Sequence, residues 1–524
     1  MVESSAVRLA DLTEDVEGAL LLGSSDTHVR SLAYRSDAVT DGSLFFCVPG
    51  FVRDGHDYAP DAVMRGAAAL CVERSLDVGV PQVLVPSVRR AMGPMASIFY
   101  NRPSRDLLTV GITGTNGKTT SAFLTAHLLD AAGLRAGMLG TVERRVAGVS
   151  MPAGRTTPEA VDIQKDLADM LEAGDRSVVM EVSSHALDLD RVLGVAFRVV
   201  AFTNLTQDHL DYHETLSAYF EAKRRLFLET RFTEHQNAAL INVDDEYGRR
   251  LAEEYPGDRL LTFTTAKEQQ RQADLAVRDY VIDAAGTRGT LEVRGNALRR
   301  LRAIQGGTTA LDGLSADDMS SYPVRTRLLG AFNVANVLTA VGIGLALGLE
   351  LESMLTAVAD FPGVPGRMEP IDEGQPFTVL VDYAHTPDSV RNVLDTAREL
   401  SEGRLLAVLG CGGDRDRGKR PQMGAEAEAV ADRVIITSDN PRSEEPDAII
   451  ADIIAGVTSP ESVAIEPDRR EAIRLALEEA GPMDVVLILG KGHESGQEFA
   501  DRRIPFDDRE VARSLLRERP GEQG

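Results

Sequence analysis

Along the chain, short apolar runs suited to buried strands alternate with stretches whose apolar residues recur at helical spacing, and most runs end in glycine or a polar cluster. The sharpest case opens with Leu107, Leu108, Val110 and Ile112, passes Gly111, Gly114 and Gly117, and continues into Phe123, Leu124, Leu128 and Leu129 at helical spacing. It predicts a buried strand, a glycine turn and a helix. Upstream, residues 1–105 predict a small α/β domain, with a strand over Ser43–Gly50, then a loop and helix, and a strand over Ala68–Val72. Between 106 and 362 a larger α/β domain is expected. Its strands lie in Ser177–His185, Phe197–His213 and Asn237–Gly248, and its helices over Thr215–Glu229 and Leu328–Gly348. Residues 265–325 carry a weaker pattern, read as a surface β elaboration.

Phe361–Pro370 holds three prolines and two glycines, which break any regular element and mark a boundary. Beyond it, four apolar runs (FTVLVDYAHTPDSV, LLAVLGCGGDRDRGKR, RVIITSDNPRSEEP and VVLILGKGHE) each end in polar residues, with helical stretches between them. That alternation predicts a doubly wound, Rossmann-like sheet over 363–524 whose active edge lies at the strand C-termini. The expected architecture is α/β in three domains, 1–105, 106–362 and 363–524. The middle one is expected to open on the glycine turn, a loop of the phosphate-binding type, and to rest on a mainly parallel sheet.

Composition narrows the function. The chain has 524 residues, too many for one core, and 43% are hydrophobic. A formal net charge of −25 argues against a nucleic-acid partner held by a general basic surface, while leaving room for a local basic pocket. No 18-residue uncharged apolar segment occurs, so no membrane span is expected, and the N-terminus lacks a signal-length apolar run. Cys47, Cys71 and Cys411 have no metal-like spacing and suggest a reducing, cytoplasmic setting. Only six lysines occur, and four of them, Lys118, Lys223, Lys419 and Lys491, fall in motifs.

The candidate chemistry starts at Gly114-Thr115-Asn116-Gly117-Lys118-Thr119-Thr120. Glycines let backbone N–H groups curl around phosphate oxygens at a helix N-terminus. Lys118 would reach the β- and γ-phosphates of ATP, and Thr119 would offer its hydroxyl to Mg²⁺. Ile112 stands where the usual loop has its first glycine. Glu181 ends an apolar run, and Asn204, Asp208, His209 and Asp211 follow another, at the end of a parallel sheet where ligands sit. Glu181 suits Mg²⁺, whereas His209 is an unusual ligand for so hard a cation. On its helix, Lys223 reads either as sharing the apolar side of Tyr219 and Phe227 or as part of a solvated stripe with Arg224 and Arg225. Asn333 and Asn336 read as adenine-facing amides or as helix caps. From pattern alone Ser36, Arg53 and His56 are solvated loop polarity.

Taken in order, GTNGKTT, MEVSSH, TNLTQDHLDYH, FEAK, GAFNVAN, PGRME, DYAHTPD, GDRDRGKRP, DNPR and GKGHE resemble the Mur ligase family of bacterial peptidoglycan synthesis over nearly the whole chain. The resemblance implies a domain for the UDP-sugar peptide, a central ATPase and a C-terminal domain for the incoming amino acid. It implies that ATP phosphorylates a D-glutamate side-chain carboxylate of a UDP-N-acetylmuramoyl dipeptide and that the amine of meso-diaminopimelate displaces phosphate. By matching position, Lys118, Glu181, His209 and Lys223 are the catalytic set, Lys223 as a carbamate that helps Glu181, His209 and Thr119 hold Mg²⁺. Asn333, Arg367, Asp382 and His385 match the adenosine contacts. Tyr34, Ser36, Phe51, Val52, Arg53, Arg155, Thr156, Thr157, Ser183 and Arg191 match the sugar-peptide contacts, with Arg155 and Leu189 standing where relatives often have Asn and Gln. Arg415, Asp439, Asn440, Pro441, Arg442, Gly490 and Glu494 match the diaminopimelate contacts. Arg442 offers a planar fork for the second carboxylate, which lysine lacks. A monomer acting on small molecules is expected. The rival readings are a lysine-adding relative, a folylpolyglutamate synthetase and a non-catalytic nucleotide switch; DNPR and the N-terminal domain speak against the first two.

Overall fold

The computed structural model describes residues 6–50, 52–229, 237–257, 259–267, 272–283, 285–297, 319–459 and 463–519. The chain forms two compact units, one of Met1–Thr113, Gly133–Val200 and Ala222–Ala239, the other of Gly114–Ala132, Ala201–Glu221 and Leu240–Gly524.

The first unit carries a five-stranded sheet in the order Leu20–Leu22, Gln82–Leu84, Ala67–Val72, Ser43–Phe46 and Ser31–Ala33, parallel except at Leu20–Leu22. The two strands expected here, near Ser43 and Ala68, are both present. The same unit holds Leu108–Thr113, Ser177–Glu181 and Ala136–Leu139 side by side and parallel, extended by the antiparallel hairpin of Glu143–Val146 and Val149–Pro152. Ser177–Glu181 is buried throughout, as an apolar run covered on both faces should be. The loop polarity expected of His56 is corrected. Its ring is buried, with Nδ1 2.6 Å from Asp54 Oδ1 and Nε2 accepting from the Glu73 N–H at 2.9 Å.

The second unit contains helix Lys118–Ala131, which packs on helix Ala331–Leu347, and the antiparallel strands Leu275–Asp283, Gly286–Arg294 and Met319–Thr326. These strands realise the β elaboration expected over 265–325, of which 268–271, 284 and 298–318 lie outside the described residues. Its C-terminal part is a six-stranded sheet ordered Glu369–Pro370, Thr378–Asp382, Val485–Leu489, Leu405–Cys411, Arg433–Ser438 and Val463–Ile465, all parallel but the first. The side chains alternate between two apolar faces. Leu380, Leu405, Ala407, Leu409, Ile436 and Leu487 pack under helices Pro387–Leu400, Lys419–Val430 and Pro446–Ile454. Val379, Val381, Leu406, Val408, Ile435 and Ile488 pack under helices Arg469–Glu479 and Asp508–Glu518. Both faces are covered, which is why these strands read as continuous apolar runs.

In the first unit, Gly93 of helix Val88–Phe99 lies against the Leu193 carbonyl, where an added Cβ would collide with backbone. Gly93→Ala is expected to destabilise the protein by about 1–3 kcal/mol through overpacking, read as a lowered melting temperature.

Candidate active site

In the second unit the phosphate loop is built from behind by residues 203–206. The Thr203 hydroxyl donates to the Asn116 carbonyl at 2.6 Å, and the Asn204 side-chain oxygen accepts the Asn116 N–H at 2.9 Å. Thr115 N–H donates to the Asn204 carbonyl at 2.9 Å, and its hydroxyl accepts the Thr206 N–H at 3.0 Å. The Asn116 amide reaches across to Asp388 at 2.8 Å. The N–H groups of Thr115 and Asn116 therefore hold the loop in shape rather than pointing at a ligand. The first helical N–H groups, from Lys118 onward, precede the first intrahelical bond, from Ser121 to Gly117, and form the donor end of the helix. Gly117 adopts φ +86°, and a Cβ there would stand 2.5 Å from the Asn336 side-chain oxygen, so only glycine fits. Lys118 Nζ donates to the carbonyls of Gly114 at 2.9 Å and Thr115 at 2.7 Å.

Around this loop the same unit gathers other expected residues. Arg367 donates to the Thr119 hydroxyl at 3.3 Å and lies over the Tyr383 ring, 4.5 Å from its centroid. Asp382 is buried and accepts the N–H groups of Met368 and Ala384, both at 2.7 Å; burial raises its pKa. Asn333 donates to the Leu329 carbonyl at 2.6 Å and accepts from Asn336 at 2.7 Å. His209 takes a left-handed backbone, φ +54°, beside the buried Asp208. Burial would raise Asp208, but His209, Lys419 and His385 outweigh it and hold its pKa well below the ordinary range. Lys419 Nζ stands 3.6 Å from that carboxylate. His385 is pushed down to about 4 by burial first and by the Lys419 charge second.

The strand ends at Ser438 and Leu489 carry a second cluster. Asn440 donates to Glu494 at 2.7 Å, and the buried Lys491 donates to Asn440 and to Glu494, each at 3.0 Å. Gly490 turns beside Asp439, and Pro441 is buried next to Asn440. Arg442, at φ +52°, donates from Nη1 to the Gly413 carbonyl at 2.7 Å, and its Nε stands 3.3 Å from Glu498. Those contacts leave the end of the guanidinium fork for a carboxylate. Arg415 stays exposed and donates to its neighbour Asp414. Lys491, Lys419 and Glu498 were not assigned roles from sequence; the rarity of lysine was the available signal for the first two.

In the first unit, the Thr157 hydroxyl donates to the Glu181 carbonyl at 2.8 Å and accepts the Ser183 N–H at 3.1 Å, while Ser183 caps helix Ser184–Asp188. Arg155 and Arg191 both reach Glu159, at 2.5 and 2.8 Å, and Arg191 also donates to the Thr157 carbonyl. Thr156 and Thr141 hydroxyls are 3.0 Å apart. The wholly buried Glu181 carboxylate accepts the Thr141 N–H at 2.7 Å and its hydroxyl at 3.0 Å. Tyr34 donates to Asp162 at 2.6 Å; burial and that bond raise its pKa. Ser36 opens a short turn, Val52 is exposed, and Arg53 donates to the Tyr58 hydroxyl at 2.8 Å; Phe51 lies outside the described residues. Lys223 is 1% exposed, so the solvated-stripe alternative is excluded, and it is Arg225 that faces outward to Asp190 and Glu229. Among the described residues no three His, Cys, Asp or Glu side chains form a metal cage. Mg²⁺ does not require one, since it is held by one or two carboxylates with phosphate and water.

Three family models match in chain order: Mur ligase family, catalytic domain, over residues 28–100; Mur ligase middle domain over 112–344; and Mur ligase, glutamate ligase domain, over 366–492. A UDP-N-acetylmuramoyl-L-alanyl-D-glutamate–2,6-diaminopimelate ligase of Thermosynechococcus vestitus is 45% identical over 94% of each chain. One of Geobacillus kaustophilus is 43% identical over 98% of this chain and all of that one. A solved structure of a ligase of that name has TM-score 0.66 at 31% identity, covering 98% of this chain and 99% of the other. The fold is also that of a Thermotoga maritima MurF ligase in complex with ADP, with TM-score 0.62 at 19% identity over 94% of this chain and 99% of that one.

Because its folded-state pKa lies below that of a free imidazole, His385 binds its proton more readily in the unfolded chain. Stability is therefore expected to fall as pH drops from about 6.5 toward 4, and His385→Asn should lose less over that window. Thermal melts against pH and an NMR titration of the His385 ring check this.

Proposed function

We propose, from the premise that this chain belongs to the Mur ligase family, that it joins meso-2,6-diaminopimelate to the D-glutamate of UDP-N-acetylmuramoyl-L-alanyl-D-glutamate, using ATP, in peptidoglycan synthesis. The observation that carries this reading is one compact unit bearing both a lysine-tipped glycine loop and two strand ends, one leading to Arg442 and the other to Glu494, joined by the Asn440–Glu494 bond. A carboxylate becomes a useful electrophile once its oxygen is a phosphate leaving group. Lys118 would leave its loop carbonyls to neutralise the transferring phosphoryl, and the helix N-terminus would hold its oxygens. The incoming amine then bonds to the carbonyl carbon, phosphate departs and the amine loses a proton. Placing the two reactants together supplies much of the rate.

Asn333, Arg367, Asp382 and His385 would orient the adenosine. Arg155, Thr156, Thr157, Ser183 and Arg191, with Tyr34, Ser36, Phe51, Val52 and Arg53, would hold the sugar peptide. Arg415, Asp439, Asn440, Pro441, Arg442, Gly490 and Glu494 would hold diaminopimelate. Arg442 would take its far carboxylate and Glu494 an ammonium, so lysine would leave the arginine unpaired. Mg²⁺, when bound, would offset phosphate charge. Thr119 would offer it a hydroxyl, Glu181 and a carbamylated Lys223 would offer it anionic oxygens, and His209 a nitrogen. Glu181 has the chemistry for that part, being buried and held by two donors, and burial penalises the ammonium form of a lysine such as Lys223. Residues 1–105, 106–362 and 363–524 would be the sugar-peptide, ATP and amino-acid domains of a monomeric cytoplasmic enzyme with no nucleic-acid partner.

The deciding experiment is phosphate release from ATP, expected only when the UDP-dipeptide and diaminopimelate are both present. Release with ATP alone, or equal use of lysine, would overturn the reading. Lys118→Ala is expected to lower kcat by about a thousandfold. Arg442→Ala is expected to raise the KM for diaminopimelate by about tenfold to a hundredfold and leave that for ATP in place, as steady-state kinetics would show. A ¹³C NMR carbamate signal under labelled CO₂, lost in Lys223→Ala, checks the modification.

A further inference from the structure

Arg469 and Asp508 are both fully shut off from water, and they meet through two bonds, Nε to Oδ1 at 2.7 Å and Nη2 to Oδ2 at 2.6 Å. Two further guanidinium donors go to backbone: Nη2 to the Leu489 carbonyl at 2.8 Å and Nη1 to the Ser438 carbonyl at 3.3 Å. Those two residues are the last of strands Val485–Leu489 and Arg433–Ser438, and the chain leaves them directly into Gly490–Glu494 and Asp439–Arg442. The strands are not neighbours, because Leu405–Cys411 lies between them in the sheet. No ladder bond therefore sets one strand end against the other. Arg469 spans the gap directly, from the helix beneath, and Asp508 fixes the angle of its fork.

Stability alone does not call for this arrangement. Two charges lose their hydration, and an apolar pair of similar volume commonly serves a core as well. What the pair adds is a fixed separation between two loops whose side chains then meet above it, Asn440 with Glu494 and Lys491. We propose that the Arg469–Asp508 pair is a positioning device for the amino-acid site: it sets the distance between the carboxylate-binding Arg442 and the ammonium-binding Glu494, and so the length of diamino acid the site accepts. This inference rests on the reading that these two loops hold diaminopimelate. Arg469 and Asp508 touch no substrate and act through the strand ends.

Two variants test it in the full-length protein. Arg469→Met with Asp508→Leu replaces the pair by apolar side chains, and Arg469→Lys keeps the charge while losing the fork. Melting temperatures and the KM values for ATP, the UDP-dipeptide and diaminopimelate would be measured for each. The expected result is a KM for diaminopimelate raised by about tenfold to a hundredfold, with the other two unchanged and the preference over lysine narrowed. If the double variant fails to fold, Arg469→Lys decides the matter. A folded variant with unchanged KM for diaminopimelate, or one in which all three values rise together, would overturn the inference. So would full recovery by lysine, which would reduce the pair to charge neutralisation. If the wild-type protein fails to use diaminopimelate at all, it is the functional reading that falls.

Discussion

The second unit depends on a loop that must hold an open curve. A strand running into a helix through Gly114 and Gly117 has no ladder of its own across the turn, so its shape comes from the segment 203–206. Two short polar side chains there, Thr203 and Asn204, take up the Asn116 carbonyl and N–H that a curled backbone would otherwise leave unpaired. The close approach of Asn336 to Gly117 closes the remaining side. The brace is polar because the loop it holds is backbone, and backbone can be held only by hydrogen bonds.

The C-terminal sheet meets a different constraint. Its strands are apolar on both faces and can carry no polar side chain without burying it, so chemistry is confined to the residues just past the strand ends. Where charges do enter, they come with an opposite charge beside them. Arg420 forks onto Glu444, with contacts of 2.8 and 3.0 Å, and Arg469 forks onto Asp508. An isolated charge there would be strongly destabilising, whereas a paired one costs little and directs the loop above it.

This contrast explains what could be read from sequence. The four C-terminal strands and the polar residues that follow them were legible because a two-faced buried strand writes a continuous apolar run, and the place where the run stops is the place where chemistry starts. The strand, glycine turn and helix around Lys118 were legible because the apolar run, the glycines and the helical spacing follow one another without interruption. Lys223 was not, since its helix has both an apolar side and a basic stripe and one residue's angle decides between them. His56 was misread because its two partners, Asp54 and Glu73, include one 17 residues away. The pairs that set the site's shape join residues far apart in the chain, Asn116 with Asp388 and Arg469 with Asp508, and no local pattern announces such a partnership.

Lys118 rests against the carbonyls of Gly114 and Thr115. The loop thus supplies two acceptors for its own lysine. Under the proposed function, a nucleotide would have to displace both hydrogen bonds before the ammonium could swing to its phosphates, so part of the binding energy would go into releasing the lysine.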